Sequence, residues 1–168
     1  MPSLFLVRHG VALDQGEWTM ADELRPLTEF GWRQAVAIGR IASQHRVSHF
    51  YSSPAVRCMD TLLPAAHLRG VTVEAAPELF ETEEPRGLEA AGQLLRRLLD
   101  EYLPAGRETA AACSHGNVLV PLLDAAGLRD PSRCPKGGVW RLQVEPGQAE
   151  VRVSSMGHLS PRSQEWER

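Results

Sequence analysis

Leu4-Phe5-Leu6-Val7-Arg8-His9-Gly10 is the stretch from which the fold can be read. Four apolar residues in a row, closed by a polar pair and a glycine, have the pattern of a strand buried on both faces. An open α/β sheet binds its ligands in the crevice beyond the carboxyl ends of its strands. Arg8 and His9 are therefore expected at that rim, with Gly10 permitting a sharp turn. A fixed arginine charge beside a histidine disfavours the imidazolium and favours a nearby anion. The stretch predicts a phosphate site with His9 at its centre.

A second strand end repeats the pattern. Thr109 to Cys113 is small and apolar, and it runs into Ser114-His115-Gly116-Asn117. If the two strands are parallel neighbours, His9 and His115 meet at one rim. Between them in sequence, Val47 to Tyr51 reads as another strand, followed by Ser52-Ser53-Pro54. The serines are expected to cap the next helix, with Pro54 in its first turn. That helix carries Arg57 near its start, and Pro64 is expected to kink or break it. Thr28 is expected to cap an earlier helix reaching about Gln44, its buried face built on Phe30, Ala35, Ile38, Ile41 and Ala42. Gly31 and Gly39 weaken that helix locally.

Val71 to Ala75 predicts a further strand. An acidic, irregular loop, Pro77 to Arg86, leads into an amphipathic helix over Gly87 to Leu103. Val118 to Ala126 predicts a helix with Pro121 in its first turn and Gly127 as its stop. Residues 128 to 137 form a turn-rich loop. Val139 to Val144 and Ala149 to Val153 predict a hairpin around Pro146-Gly147. Strands alternating with helices argue for an α/β layer fold with a mainly parallel sheet, made mixed by the hairpin. Residues 1–158 are expected to form one domain. Residues 159–168 are expected to be a frayed polar tail, with Trp166 its one large apolar group.

Composition narrows the function. The chain has 168 residues, enough for one substantial core, and 43% of them are apolar, outside the disordered class. A net charge of −3 provides no global attraction for nucleic acid or an anionic membrane. Any anionic ligand must be held by local cations. The three cysteines form no closely spaced pair, which suits a reducing compartment. The N-terminal apolar run is short for a signal peptide, and no stretch approaches the roughly 20 apolar residues of a membrane span. A cytoplasmic protein is expected. Oligomeric state is not legible.

Arg8, Arg57, His115 and a helix N-terminus together would cage a dianionic phosphoryl group, because arginine's planar fork holds two oxygens at once. A neutral His9 inside that cage is a nucleophile able to take the phosphoryl group. The reaction also needs an acid for the leaving atom and a base for water, which one carboxyl group can supply in turn. The acidic loop after the third strand is where that group is expected. His9 and His115 could instead share a metal ion, but flanking arginines would repel a cation. No metal or cofactor is implied.

Arg8-His9-Gly10, Ser52-Ser53-Pro54 with Arg57 and Thr61, and Ser114-His115-Gly116-Asn117 resemble the histidine phosphatase superfamily, the phosphoglycerate mutase-like proteins. The resemblance runs from Leu4 to roughly Trp140. Arg25-Pro26-Leu27-Thr28, Gly31 and Gln34-Ala35 resemble its short bacterial branch, which includes phosphohistidine phosphatases. Lys136-Gly137-Gly138-Val139-Trp140 is similar to a phosphatase domain attached to nudix hydrolases in some bacteria. The resemblance implies a three-layer sandwich with helices on both faces of the sheet. It also implies that His9 is phosphorylated and that Arg8, Arg57 and His115 bind the phosphoryl group. Leu79-Phe80-Glu81 matches the family's placing of its carboxylate, which makes Glu81 the expected proton donor, with Glu78 and Glu83 as alternatives. The tryptophan-glutamate-glycine that follows in many members is absent, which turns the expectation away from mutases.

Arg25, Asn117 and Lys136 are candidate contacts to the rest of the substrate. Arg25 could equally anchor its loop, and Lys136 could be an exposed turn residue. The expected function is metal-independent hydrolysis of a small phosphomonoester or of a phosphohistidine protein through a covalent intermediate at His9. A nucleotide-directed phosphatase of the nudix-associated type and a non-catalytic phospho-ligand binding module are the alternatives.

Overall fold

A computed structural model of the chain describes residues 2–104, 109–131, 133–144 and 150–168. The opening stretch forms strand β1, Ser3–Arg8, and Leu4, Phe5, Leu6 and Val7 are all buried. The other strands are β2 (His49–Ser52), β3 (Val73–Ala75), β4 (Thr109–Ser114), β5 (Val139–Val144), β6 (Val151–Leu159) and β7 (Trp166–Glu167). They build one sheet in the order β3-β2-β4-β1-β5-β6-β7. From β3 to β1 the neighbours are parallel; from β1 to β7 they are antiparallel.

Because side chains alternate along a strand, β1 feeds two cores. Phe5 and Val7 pack with helices α1 (Glu29–Gln44) and α2 (Val56–Arg69). Leu4 and Leu6 pack with α3 (Leu88–Tyr102) and α4 (Gly116–Ala125). The result is the expected three-layer sandwich, with helices on both faces of a mixed sheet. The expected cap of α1 is present: Gly31 N donates to Thr28 Oγ1 at 3.0 Å. Among the described residues no helix is long and apolar enough to cross a membrane.

Several expectations are corrected. The residue before α2 is Ala55, with no side-chain cap, so Ser52 and Ser53 do not cap the helix and Pro54 precedes it rather than standing in its first turn. Pro64 does not break α2, which continues to Arg69 because Leu62, Ala65 and Ala66 bury its face on either side of the proline. Helix α4 begins at Gly116 rather than Val118, so Pro121 stands in its second turn. The last ten residues are not frayed. Trp166–Glu167 pairs with His158–Leu159, and Trp166 Nε1 donates to the Met156 carbonyl at 2.7 Å. Strand β6 also runs well past Val153. The expected turn at Pro146-Gly147, and Ala149, lie outside the described residues.

Candidate active site

Strands β1 and β4 are parallel and in register, with Arg8 opposite Ser114. The residue after each is a histidine, and the two rings lie 5.5 Å apart between centroids at 65°. The juxtaposition expected from the repeated strand ending is therefore present. Gly10 is needed by close approach: a Cβ there would stand 2.9 Å from the Gly31 carbonyl oxygen of α1. Its N–H donates to Thr61 Oγ1 at 2.9 Å, and that hydroxyl donates to the Arg57 carbonyl at 2.6 Å. Thr61, one helical turn beyond Arg57, thus ties the histidine turn to α2.

His9 is 6% exposed, and its Nδ1 lies 2.7 Å from the Gly10 carbonyl. A carbonyl only accepts, so Nδ1 carries the proton and Nε2 keeps its lone pair. Burial lowers the pKa of His9 from 6.5 to about 3; the Gly10 bond opposes this, and Arg57, His115 and Arg8 reinforce it. His9 is a neutral imidazole at ordinary pH.

Arg57, in the first turn of α2, is 2% exposed. Its Nη2 lies 3.0 Å from Glu81 Oε2 and 3.1 Å from Asp22 Oδ2, and Nη1 donates to the Asp22 carbonyl at 2.9 Å. The same Nη2 donates to His115 Nδ1 at 3.3 Å, which leaves His115 Nε2–H to donate to Ser53 Oγ at 2.7 Å. Arg8 donates from Nη1 to the Cys134 carbonyl. The buried Nε atoms of both arginines have no hydrogen-bond partner among the described residues. His115 occupies the cap position of α4, whose first N–H groups add the positive end of a helix dipole.

The three candidate acids separate. Glu81 is on Arg57, with Oε2 also 3.9 Å from His115 Nδ1. Glu78 instead accepts a hydrogen bond from the Tyr102 hydroxyl, and Glu83 is exposed. Phe80, beside Glu81, lies edge-on to His115 at 6.0 Å.

The candidate substrate contacts also differ from one another. Arg25 is an anchor: Nε pairs with Asp22 Oδ1 at 2.9 Å and Nη1 donates to the Leu13 carbonyl at 2.8 Å. Asn117 Nδ2 donates to the Thr82 carbonyl, so its amide holds the acidic loop. Lys136 is an exposed turn residue, as one of its two readings expected, and it stands near the cations of the site. Burial, then Arg8, Arg25 and Arg57, lower its pKa from the usual lysine value, with Asp14 opposing. Asp22 is the residue that sequence reasoning missed. Burial works upward on its carboxyl, but the Arg25 hydrogen bond and the charge of Arg57 hold it below the usual range. Its i,i+3 spacing to Arg25 was the available signal.

A family model described as the histidine phosphatase superfamily (branch 1) matches residues 4–86. No curated protein sequence matches. Among solved structures, the putative phosphohistidine phosphatase SixA from Agrobacterium tumefaciens superposes with a TM-score of 0.71 at 21% identity, covering 95% of this chain and 98% of that one. The mycobacterial glucosyl-3-phosphoglycerate phosphatase Rv2419c, in complex with VO3, gives 0.72 at 16% identity over 92% and 98% of the two chains. YhfR from Bacillus stearothermophilus gives 0.71 at 20% identity over 95% and 98%. At these identities the likeness is one of fold.

Proposed function

We propose that the chain, which matches the histidine phosphatase superfamily model over residues 4–86, is a phosphatase, and that it hydrolyses a phosphomonoester or a phosphohistidine through a covalent intermediate on His9, without a metal ion. The observation that carries the reading is the polarity of His9. Its proton is committed to the Gly10 carbonyl, and its neutral Nε2 belongs to a ring ringed by Arg57, Arg8 and His115. Nε2 attacks phosphorus, forming a P–N bond as the bond to the leaving atom breaks. Arg8 and Arg57 carry two positive charges, matching the dianion, and their unpartnered Nε atoms are available donors. The phosphoryl group takes over donors that now serve Glu81, and the carboxyl group turns to protonate the leaving atom. Water then attacks phosphorus, Glu81 accepts its proton, the P–N bond breaks and inorganic phosphate leaves.

A small phosphorylated molecule and a phosphohistidine protein both satisfy this chemistry. The nucleotide-directed alternative needs Arg25 and Lys136 as grips on further phosphates. Arg25 has Nε and Nη1 spent on Asp22 and Leu13, which disfavours it. Intact Arg8, His9, Arg57 and His115 disfavour a binding module. The test is hydrolysis of p-nitrophenyl phosphate with a chelator present, wild type beside His9→Ala, with the phosphoenzyme trapped in alkali. Activity should survive the chelator and vanish in His9→Ala, and the trapped phosphate should be stable to base and labile to acid. Turnover by His9→Ala, or a label that remains on it, would overturn the reading.

A further inference from the structure

Ser114-His115-Gly116-Asn117 carries two side chains that the proposed chemistry leaves unused. Ser114 is fully buried, and its hydroxyl donates to the Leu79 carbonyl at 2.6 Å. Asn117 Nδ2 donates to the Thr82 carbonyl. These two bonds bracket a short piece of chain, and the only residues between the tethered carbonyls are Phe80 and Glu81. The residues flanking His115-Gly116 thus grip the carboxylate segment from both sides, while His115 itself meets Arg57 and Glu81.

The tethers act on the main chain, whereas the segment's other contacts are the Glu81 pair with Arg57, the edge of Phe80 on His115 and the Phe80 N–H on the Pro77 carbonyl. Leu79 is fully buried and fixes one end, whereas Phe80 and Glu81 are each about two-fifths exposed. Beyond Thr82, residues 83–85 are exposed. Once a phosphoryl group takes over the Arg57 donors that now hold Glu81, the reach of its carboxyl group depends on where the backbone carries the side chain. General acid catalysis needs that group within hydrogen-bond reach of the leaving atom, and small displacements are costly. Both donors point at main-chain carbonyls, so no change of side chain within the loop replaces them.

We propose that Ser114 and Asn117 are positioning residues for the proton donor, and that Asn117 does not bind substrate. The junction between β4 and α4 then serves both ends of the breaking bond: His115 stands at the phosphoryl cage, and its neighbours hold Glu81 at the leaving atom. This rests on the reading of Glu81 as the acid.

The test compares kcat for a phosphate ester of an aliphatic alcohol with kcat for p-nitrophenyl phosphate, whose leaving group needs little protonation. The variants are Asn117→Ala, Glu81→Gln and the two combined, with vanadate binding as a readout free of turnover. Asn117→Ala should lower the alkyl-to-aryl ratio roughly tenfold, part of what a general acid supplies. It should shift vanadate affinity by less than about twofold, and add less than about twofold to the ratio change in the Glu81→Gln background, because the two act as a unit. An unchanged ratio with raised KM or weakened vanadate binding would overturn the inference, as would additive effects in the double variant. If Glu81→Gln itself leaves the ratio unchanged, the acid assignment falls and the inference falls with it. If Glu81→Gln lowers the ratio and Asn117→Ala does not, the inference alone falls. Asn117→Asp, nearly isosteric and unable to donate to Thr82, replaces Asn117→Ala if that variant does not fold.

Discussion

His9 is kept neutral by the same burial that makes it costly to fold. Burial first, then the charges of Arg57, His115 and Arg8, hold its pKa at about 3, against 6.5 in the unfolded chain. Between those values the unfolded chain binds a proton that the folded one refuses, so stability falls as pH drops through this window. The slope is about 1.4 kcal/mol per pH unit. His9→Asn has no such titration. Urea unfolding at pH 7.5 and 5.0 should therefore show wild type losing about 2 kcal/mol more than His9→Asn over the interval. Equal losses would mean that His9 titrates as it does in water. At this scale the sequence located residues by the company they kept. Arg8, His9 and His115 follow buried apolar runs, and Arg57 opens a helix, so their positions were legible. Asp22 was not, because an aspartate in a polar loop looks solvated and its partner Arg57 is 35 positions away. Asn117 reads from the sequence as a candidate substrate contact, whereas its amide faces the Thr82 carbonyl, a contact that only the folded acidic loop creates.

Helix α1 shows how an element can be legible while its reason is not. Thr28 as its cap and the apolar face from Ala35 to Ala42 follow from spacing. Gly31 reads from the sequence as a weakness, since alanine gains roughly 0.5–1 kcal/mol over glycine in a helix. In the folded chain a Cβ on Gly31 would meet the Val11 carbonyl oxygen at 2.1 Å. That carbonyl also accepts from Thr28 N at 2.9 Å and Thr28 Oγ1 at 3.0 Å, so it is fixed in place. Among the described residues, Gly92 of α3 has only the far end of the Arg96 side chain within reach of an added Cβ, at 3.8 Å. The two glycines should therefore respond oppositely in thermal unfolding. Gly92→Ala should stabilise by roughly 0.5 kcal/mol, and Gly31→Ala should destabilise by about 1–3 kcal/mol, with loss of p-nitrophenyl phosphate hydrolysis as the His9 turn shifts. A Gly31→Ala variant as stable as wild type would show that the loop after β1 moves freely. Pro64 and Pro121 teach the same point in reverse: local propensity predicted a break at Pro64 and a first-turn place for Pro121, and packing of the helix faces overrode both.

Across the whole molecule, alternating strands and helices were enough to place the parallel half of the sheet and the rim that carries His9 and His115. The far edge was not legible, because β7 is two residues long in a polar segment and its pairing is set by β6. Gly157 shows how close that pairing is: its φ is +97°, and a Cβ there would stand 2.0 Å from the Glu167 carbonyl oxygen. The closing turn is joined to the site by a relay. Gln34, fully buried, donates from Nε2 to the Leu159 carbonyl at 3.0 Å and the Lys136 carbonyl at 2.9 Å, and its Oε1 accepts from Val11 N at 2.8 Å. Gly137 N donates in turn to the carbonyls of Arg8 and His9, at 3.1 and 3.0 Å. Stability and catalysis should separate along this relay. Removal of residues 161–168 takes away Trp166 and β7 but leaves Leu159 for Gln34. It should cost about 1–3 kcal/mol, lowering Tm by roughly 2–10 °C, while kcat/KM well below Tm stays within about threefold of wild type. Gln34→Leu leaves the Val11 N–H without its acceptor, at about 1–3 kcal/mol, and frees the chain on both sides of His9, so it should lower Tm and kcat together. Calorimetry and p-nitrophenyl phosphate kinetics on the two variants decide the matter. Truncation with an unchanged Tm would make the last residues an appendage, and truncation that abolishes turnover at low temperature would carry their influence past Gln34 into the site.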